Sequence, residues 1–146
     1  LNAVLDSAGN GGGLGYGVSG GYGSSTVEAF HVEFDTFYNS YNGTTEFHSD
    51  PTRADHIAVN LNGDPGNHVL YHEIPTMEDN AWHDVVLRVI GNHVTVSWDG
   101  ETVIDADVDG LRFKGGYIGF TGSTGYFYNH HRIDDLRIQQ ACGATP

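Results

Sequence analysis

The stretch WHDVVLRVIGNHVTVSWDGETVIDAD, residues 82–107, decides the fold class. Apolar and polar residues alternate in it with period two, which turns successive side chains to opposite faces of an extended chain. Gly91-Asn92 and Asp99-Gly100 interrupt the alternation at hairpin spacing, and Asp-Gly suits the positive φ that a two-residue turn needs at both central positions. The stretch therefore reads as an antiparallel meander. The same alternation recurs in short segments bounded by Gly, Asn, Asp and Pro, giving predicted strands at 29–37, 56–61, 69–74, 82–90, 93–98, 102–107, 117–121 and 132–138. No convincing helix is found. The expected class is all-β, an antiparallel β-sandwich.

Composition supports this reading. The 146 residues are one domain's worth of chain, and the 21 glycines are about twice the usual ~7% share, without a collagen-like period. A Gly-rich stretch at 9–23 reads as loop, because each glycine destabilises a helix by about 1 kcal/mol relative to alanine. The domain is expected to span 1–138, with 139–146 as a linker or tail. Nineteen acidic against six basic side chains give a formal charge of -13, which repels a polyanion, so nucleic acid is not an expected partner. No apolar run approaches the ~20 residues that cross a bilayer, so no membrane span is expected. Cys142, the single cysteine, makes no disulfide within the chain.

Chemistry concentrates in residues 30–62. Alternation along FHVEFDTF, residues 30–37, sends Phe30, Val32 and Phe34 to one face and His31, Glu33, Asp35 and Phe37 to the other. Glu33 and Asp35 then lie side by side about 6.6 Å apart along the strand. Two such carboxylates repel, and a cation relieves that repulsion. Asn39, Asp50 and His56 add an amide oxygen, a carboxylate and an imidazole. Oxygens from Asp35, Asn39, Asp50 and a main-chain carbonyl near Phe37 suit a hard ion such as calcium. His56 with Glu33, Asp35 and Asp50 suits a transition metal such as manganese or zinc, with Asp35 and Asp50 bridging the two ions. Taken singly, each of these residues reads as a solvated polar position or a turn; the assembled order is what carries the reading.

That order resembles a known family. VEFDTFYN at 32–39, followed by Asp50-Pro51 and HIAVNLN at 56–62, closely resembles the metal-binding block of the L-type (legume-type) lectins. GGGLGY at 11–16 resembles the Gly-rich loop that precedes the family's metal strand, GFTGSTG at 119–125 its late strand and loop, and residues 82–104 its back-sheet meander. The likeness covers roughly residues 9–138. It implies a concanavalin-like jelly roll with Ca2+ and a transition metal (Mn2+ or similar) as cofactors. Carried over, Glu33 and His56 bind the transition metal, Asp35 and Asp50 bridge, and Asn39 and the Phe37 carbonyl bind calcium.

The resemblance further implies a glycan or polysaccharide as partner, bound by the Asn39 amide, a main-chain N–H of Gly12 or Gly13, and Phe37 stacked on the sugar ring, with Tyr126 and Phe127 setting preference. A sugar's apolar ring face and rim of hydroxyls suit an aromatic plate with a few fixed polar groups. A secreted or cell-surface adhesin is the expected setting, with avidity from several copies in a parent chain or oligomer.

Three departures accompany the likeness. The family's sugar-contacting aspartate turn has no match at 1–6, ten residues separate Asn39 from Asp50, and the chain is shorter than the family's domains, so a fragment or truncated variant is expected. Two other classes compete. A retaining glucanase needs a second carboxyl group about 5–5.5 Å from the first, but Tyr38 stands where Glu-x-Asp-x-x-Glu places it, so no enzyme is expected. A calcium-stiffened structural or adhesion module without sugar binding remains the alternative.

Overall fold

The computed structural model describes Leu14 and residues 30–40, 50–113, 115–125 and 127–140. Among the described residues six strands are formed: β1 (Phe30–Asp35), β2 (His56–Leu61), β3 (His68–Glu73), β4 (Val85–Ile90), β5 (His93–Trp98) and β6 (Glu101–Asp107). They make two antiparallel three-stranded sheets, β1-β2-β3 and β4-β5-β6. The described residues contain no helix. The described residues are thus all-β, and their arrangement is consistent with a sandwich.

The second sheet is the meander expected from residues 82–107. Asp99 and Gly100 both take positive φ, at 49° and 84°, and bring Trp98 opposite Glu101. Gly91 takes φ 65° between β4 and β5, a conformation that a residue with a Cβ adopts only with strain. Strand β4 starts at Val85 rather than at 82, because the Asp84 N–H donates to Asp99 Oδ1 (2.9 Å) and the Asp84 carbonyl accepts from Asp99 N–H (2.8 Å), a clasp to the turn instead of a ladder.

One hydrophobic core joins the sheets. Ile57 and Val59 of β2 meet Val94 and Val96 of β5 and Ile104 of β6, with Ile74, Val108 and Leu111 closing the edges. Phe34 and Trp98 add a tilted ring contact from sheet to sheet at 6.1 Å. Strand β2 is central in its sheet, and all but its last residue are buried. Its polar members, His56 and Asn60, lie inside together with Glu33 and Asp35 of β1. The face that alternation marked as polar is therefore covered, and this places four polar side chains where each must find a partner.

Two expected strands are not formed. Residues 117–121 and 132–138 have the alternating pattern but lie in irregular conformation, with Tyr117, Ile118, Phe120, Ile133, Leu136 and Ile138 exposed. A strand exists only where a neighbour completes its ladder, and among the described residues neither segment has one. Strand β1 also stops at Asp35 rather than continuing to 37. The Asp35 carboxylate accepts the Phe37 N–H at 2.8 Å and turns the chain away.

Candidate metal centre and adjoining aromatic face

The β1–β2 register sets Glu33 opposite Ala58, Asp35 opposite His56 and His31 opposite Asn60, so these residues share one face. Glu33 is held from the next strand by the Asn60 side-chain amide, which donates to Glu33 Oε2. Its other oxygen, Oε1, lies 2.8 Å from His68 Nε2 and 3.4 Å from His56 Nε2. Glu33 is 4% exposed and His56 1% exposed.

Beside this group lies a second one, centred on Asp35 and Asp50. The Asn39 N–H donates to Asp50 Oδ2, and the Asp50 N–H donates back to the Asn39 carbonyl at 3.0 Å, pinning the two ends of residues 39–50 together. Asp55 fixes the approach to β2: its carbonyl accepts the Ile74 N–H and its Oδ2 the Met77 N–H, both at 2.7 Å. Asp50 is thereby carried to Asp35 and His56.

Two sets of three ligand atoms result, Glu33–His56–His68 and Asp35–Asp50–His56, each with its atoms within 4.8 Å of one another. Charge is crowded there. Burial pushes Asp50 up to about 6, the Asn39 N–H opposing and the Asp35 charge adding to the rise. Burial also raises Asp35 against the Phe37 N–H. Burial disfavours the charged form of His56, but Glu33, the Ala54 carbonyl and Asp35 outweigh it and its pKa lies above the ordinary value.

The donor set fits cations, and His56 gives the clearest sign. A carbonyl only accepts, so the 3.2 Å contact between Nδ1 and the Ala54 carbonyl places a proton on Nδ1. In the neutral ring Nε2 then presents a lone pair. It is buried, has no hydrogen-bond partner among the described residues, and faces the carboxylate oxygen of Glu33. A positive charge between them satisfies the pair, either a proton on Nε2, which the raised pKa favours, or a metal cation in its place, and a ring N–H donated to a main-chain carbonyl is the usual support of a metal-bound histidine. A bound cation would supply that charge.

Next to the cluster, the turn that Asp35 accepts from presents Phe37 to solvent. Phe37 is 48% exposed and packs against Phe127, 65% exposed, with ring centroids 5.7 Å apart. Glu78 brings the two segments together: its Oε1 accepts the Thr36 hydroxyl (3.2 Å) and the Asn129 amide (2.7 Å). The result is a two-ring plate beside a polar cluster.

Of the residues singled out in the sequence, Glu33, Asp35, Asp50 and His56 come together, Asn39 is tied to Asp50, and Phe37 meets Phe127. Gly12, Gly13 and Tyr126 lie outside the described residues, as do residues 1–6 and the segment 41–49. The grouping differs from a single transition-metal set built on Glu33, Asp35, Asp50 and His56: Glu33 closes with His68, and His56 stands in both groups. Sequence reasoning missed His68, Asn60 and Glu78. Asn60 was recoverable, since it alternates in step with His56 along β2; the other two depend on contacts 35 and 42 positions away. A scan against protein-family models, a search of curated proteins and a search of solved structures each found no match.

Proposed function

We propose that this chain is a metal-dependent carbohydrate-binding module on a concanavalin-like jelly roll, secreted or displayed at a cell surface in several copies. The observation that carries this reading is the exposed Phe37–Phe127 ring pair, set on the turn whose carboxylate, Asp35, belongs to the cation cluster. Aromatic plates bind the apolar face of a sugar ring, and the side-chain amide of Asn39, two residues after Phe37, has both a donor and an acceptor to offer its hydroxyls. Calcium with Asp35, Asp50, Asn39 and the Phe37 carbonyl would hold that amide and that ring in fixed positions, so binding would follow metal loading. Single sites of this shallow kind bind weakly, and repetition of the module raises avidity.

The position after the carboxylate strand favours binding over hydrolysis. Tyr38 lies under the Arg53 guanidinium, 4.5 Å from its ring centroid, and brings no second carboxyl group to Glu33 or Asp35. The test is retention on immobilised glycans. Phe37→Ala is expected to abolish retention while leaving the melting temperature nearly unchanged, Asn39→Ala to abolish it and to lower the melting temperature of the calcium-loaded chain, and chelator is expected to abolish it in the parent chain. Full retention by both variants would reject the sugar-binding reading.

A second reading, a cation-stiffened structural module, is favoured by the burial of Glu33, Asp35 and His56, which sets the cluster beneath the surface. It predicts a chelator-dependent melting temperature with no retention on any glycan. Release of reducing ends from a β-glucan would revive hydrolysis.

A further inference from the structure

The β2–β3 ladder runs regularly from His56 opposite Glu73 to Val59 opposite Leu70, then skips Val69, so that His68 stands opposite Asn60. Opposed residues on antiparallel strands share a face. Asn60 shares its face with Glu33, and the extra residue therefore places His68 there too. In an unbroken register Val69 would oppose Asn60, and His68 would oppose Leu61 on the core side. A bulge that re-aims one side chain is a common device at functional sites.

We propose that His68 is a direct ligand of the transition-metal ion together with Glu33 and His56, and that these two imidazoles and one carboxylate make the centre select zinc-class ions over manganese. The inference rests on reading the cluster as a cation centre and adds a ligand and a selectivity to it. Both Nε2 atoms converge on one oxygen, Glu33 Oε1, at 2.8 Å from His68 and 3.4 Å from His56. The rings meet edge to face with centroids 5.7 Å apart, so the nitrogens approach the carboxylate from different directions. The side chains of His68, His56 and Glu33 are 5%, 2% and 2% exposed, out of reach of bulk water. Asn60 holds the other Glu33 oxygen, Oε2. An ion bound there displaces the proton between His68 Nε2 and Glu33. Nitrogen donors favour zinc, cobalt and nickel over manganese, which prefers oxygen.

The test strips the full chain of metal with chelator and titrates it with cobalt(II) by absorption, with zinc by competition against cobalt, and with manganese by the paramagnetic resonance of the free ion. The parent chain is expected to bind zinc and cobalt at least roughly tenfold more tightly than manganese. His68→Gln is expected to lose roughly 10- to 100-fold in cobalt affinity while still binding calcium. Unchanged cobalt affinity in His68→Gln, or equal affinity of the parent for manganese and zinc, overturns the role of His68 and leaves the cation centre standing. Failure of the parent to bind any of the three ions overturns the centre itself, and this proposal with it. Should His68→Gln not fold, X-ray absorption of the zinc-loaded parent decides: scattering from two imidazoles supports the assignment, and scattering from one rejects it.

Discussion

Asn60 on β2 reaches across to β1 and donates its side-chain amide to Glu33 Oε2, so that a buried carboxylate is oriented by a buried amide on the neighbouring strand. Asn60→Leu keeps the approximate volume and removes the donor. Leaving a buried carboxylate short of a hydrogen bond costs about 1–3 kcal/mol, which denaturant unfolding of the metal-free chain should register. Zinc affinity is expected to fall roughly 10- to 100-fold, because Glu33 is no longer held in one orientation.

The pH dependence of stability should differ in slope between metal-free and metal-loaded chains. Asp50 titrates at about 6 when folded against 3.8 ordinarily, and Asp35 and His56 are also raised. A group whose folded pKa is raised favours the folded state while protonated, so its contribution is complete below the unfolded pKa and is lost as pH rises through the folded pKa. In the metal-free chain Asp50 and Asp35 therefore lower stability as pH climbs from about 4 toward 6, and His56 does so only above 6.5. Bound cations need the same carboxylates ionised, so the loaded chain is expected to gain stability over that window. Melting curves at intervals across it, with chelator and with calcium plus zinc, check this; parallel slopes would show that no ion uses Asp35 and Asp50.

Far from the cluster, His83 stacks on Trp98 at 4.3 Å and lies between Asp99 Oδ2 (2.8 Å) and Asp79 Oδ1 (3.1 Å). The Asp99 carboxylate raises the His83 pKa, burial opposes it, and Asp79 adds to the rise. A protonated imidazole against an indole quenches its emission, so fluorescence in a Trp82→Phe background should rise as pH passes through a midpoint above 6.5. Asp99→Asn is expected to move that midpoint down. A midpoint unaffected by Asp99→Asn would remove Asp99 as the cause.

The bulge itself is open to a deletion. Removing Val69 keeps Leu70 opposite Val59 and His68 opposite Asn60 while making the ladder continuous. The deletion variant is expected to fold and to keep its cobalt affinity within roughly tenfold of the parent. Inserting a second residue beside Val69 should instead let the ladder run on regularly, carry His68 two positions along to stand opposite Asn62, away from Glu33, and reduce affinity as His68→Gln does.

Reading the sequence located β2 and β5 to the residue and the meander's Asp99-Gly100 turn by its chemistry, because strand period and turn φ are properties of a few adjacent residues. The same locality placed Glu33 and Asp35 on one face and singled out Asp50 and His56 as partners by ligand type. It also overreached. Residues 117–121 and 132–138 alternate as well as β3 does, yet pairing is a relation between segments, and alternation in one segment does not supply its neighbour.

Tertiary structure alone decided which face of β1 is covered, that Val69 is skipped so that His68 joins Glu33, and that Glu78 ties Thr36 to Asn129 and so seats Phe127 against Phe37. These outcomes depend on register and on contacts across tens of residues. The chain's own alternation is blind to them, since a single extra residue in a ladder reverses the side to which every following side chain points.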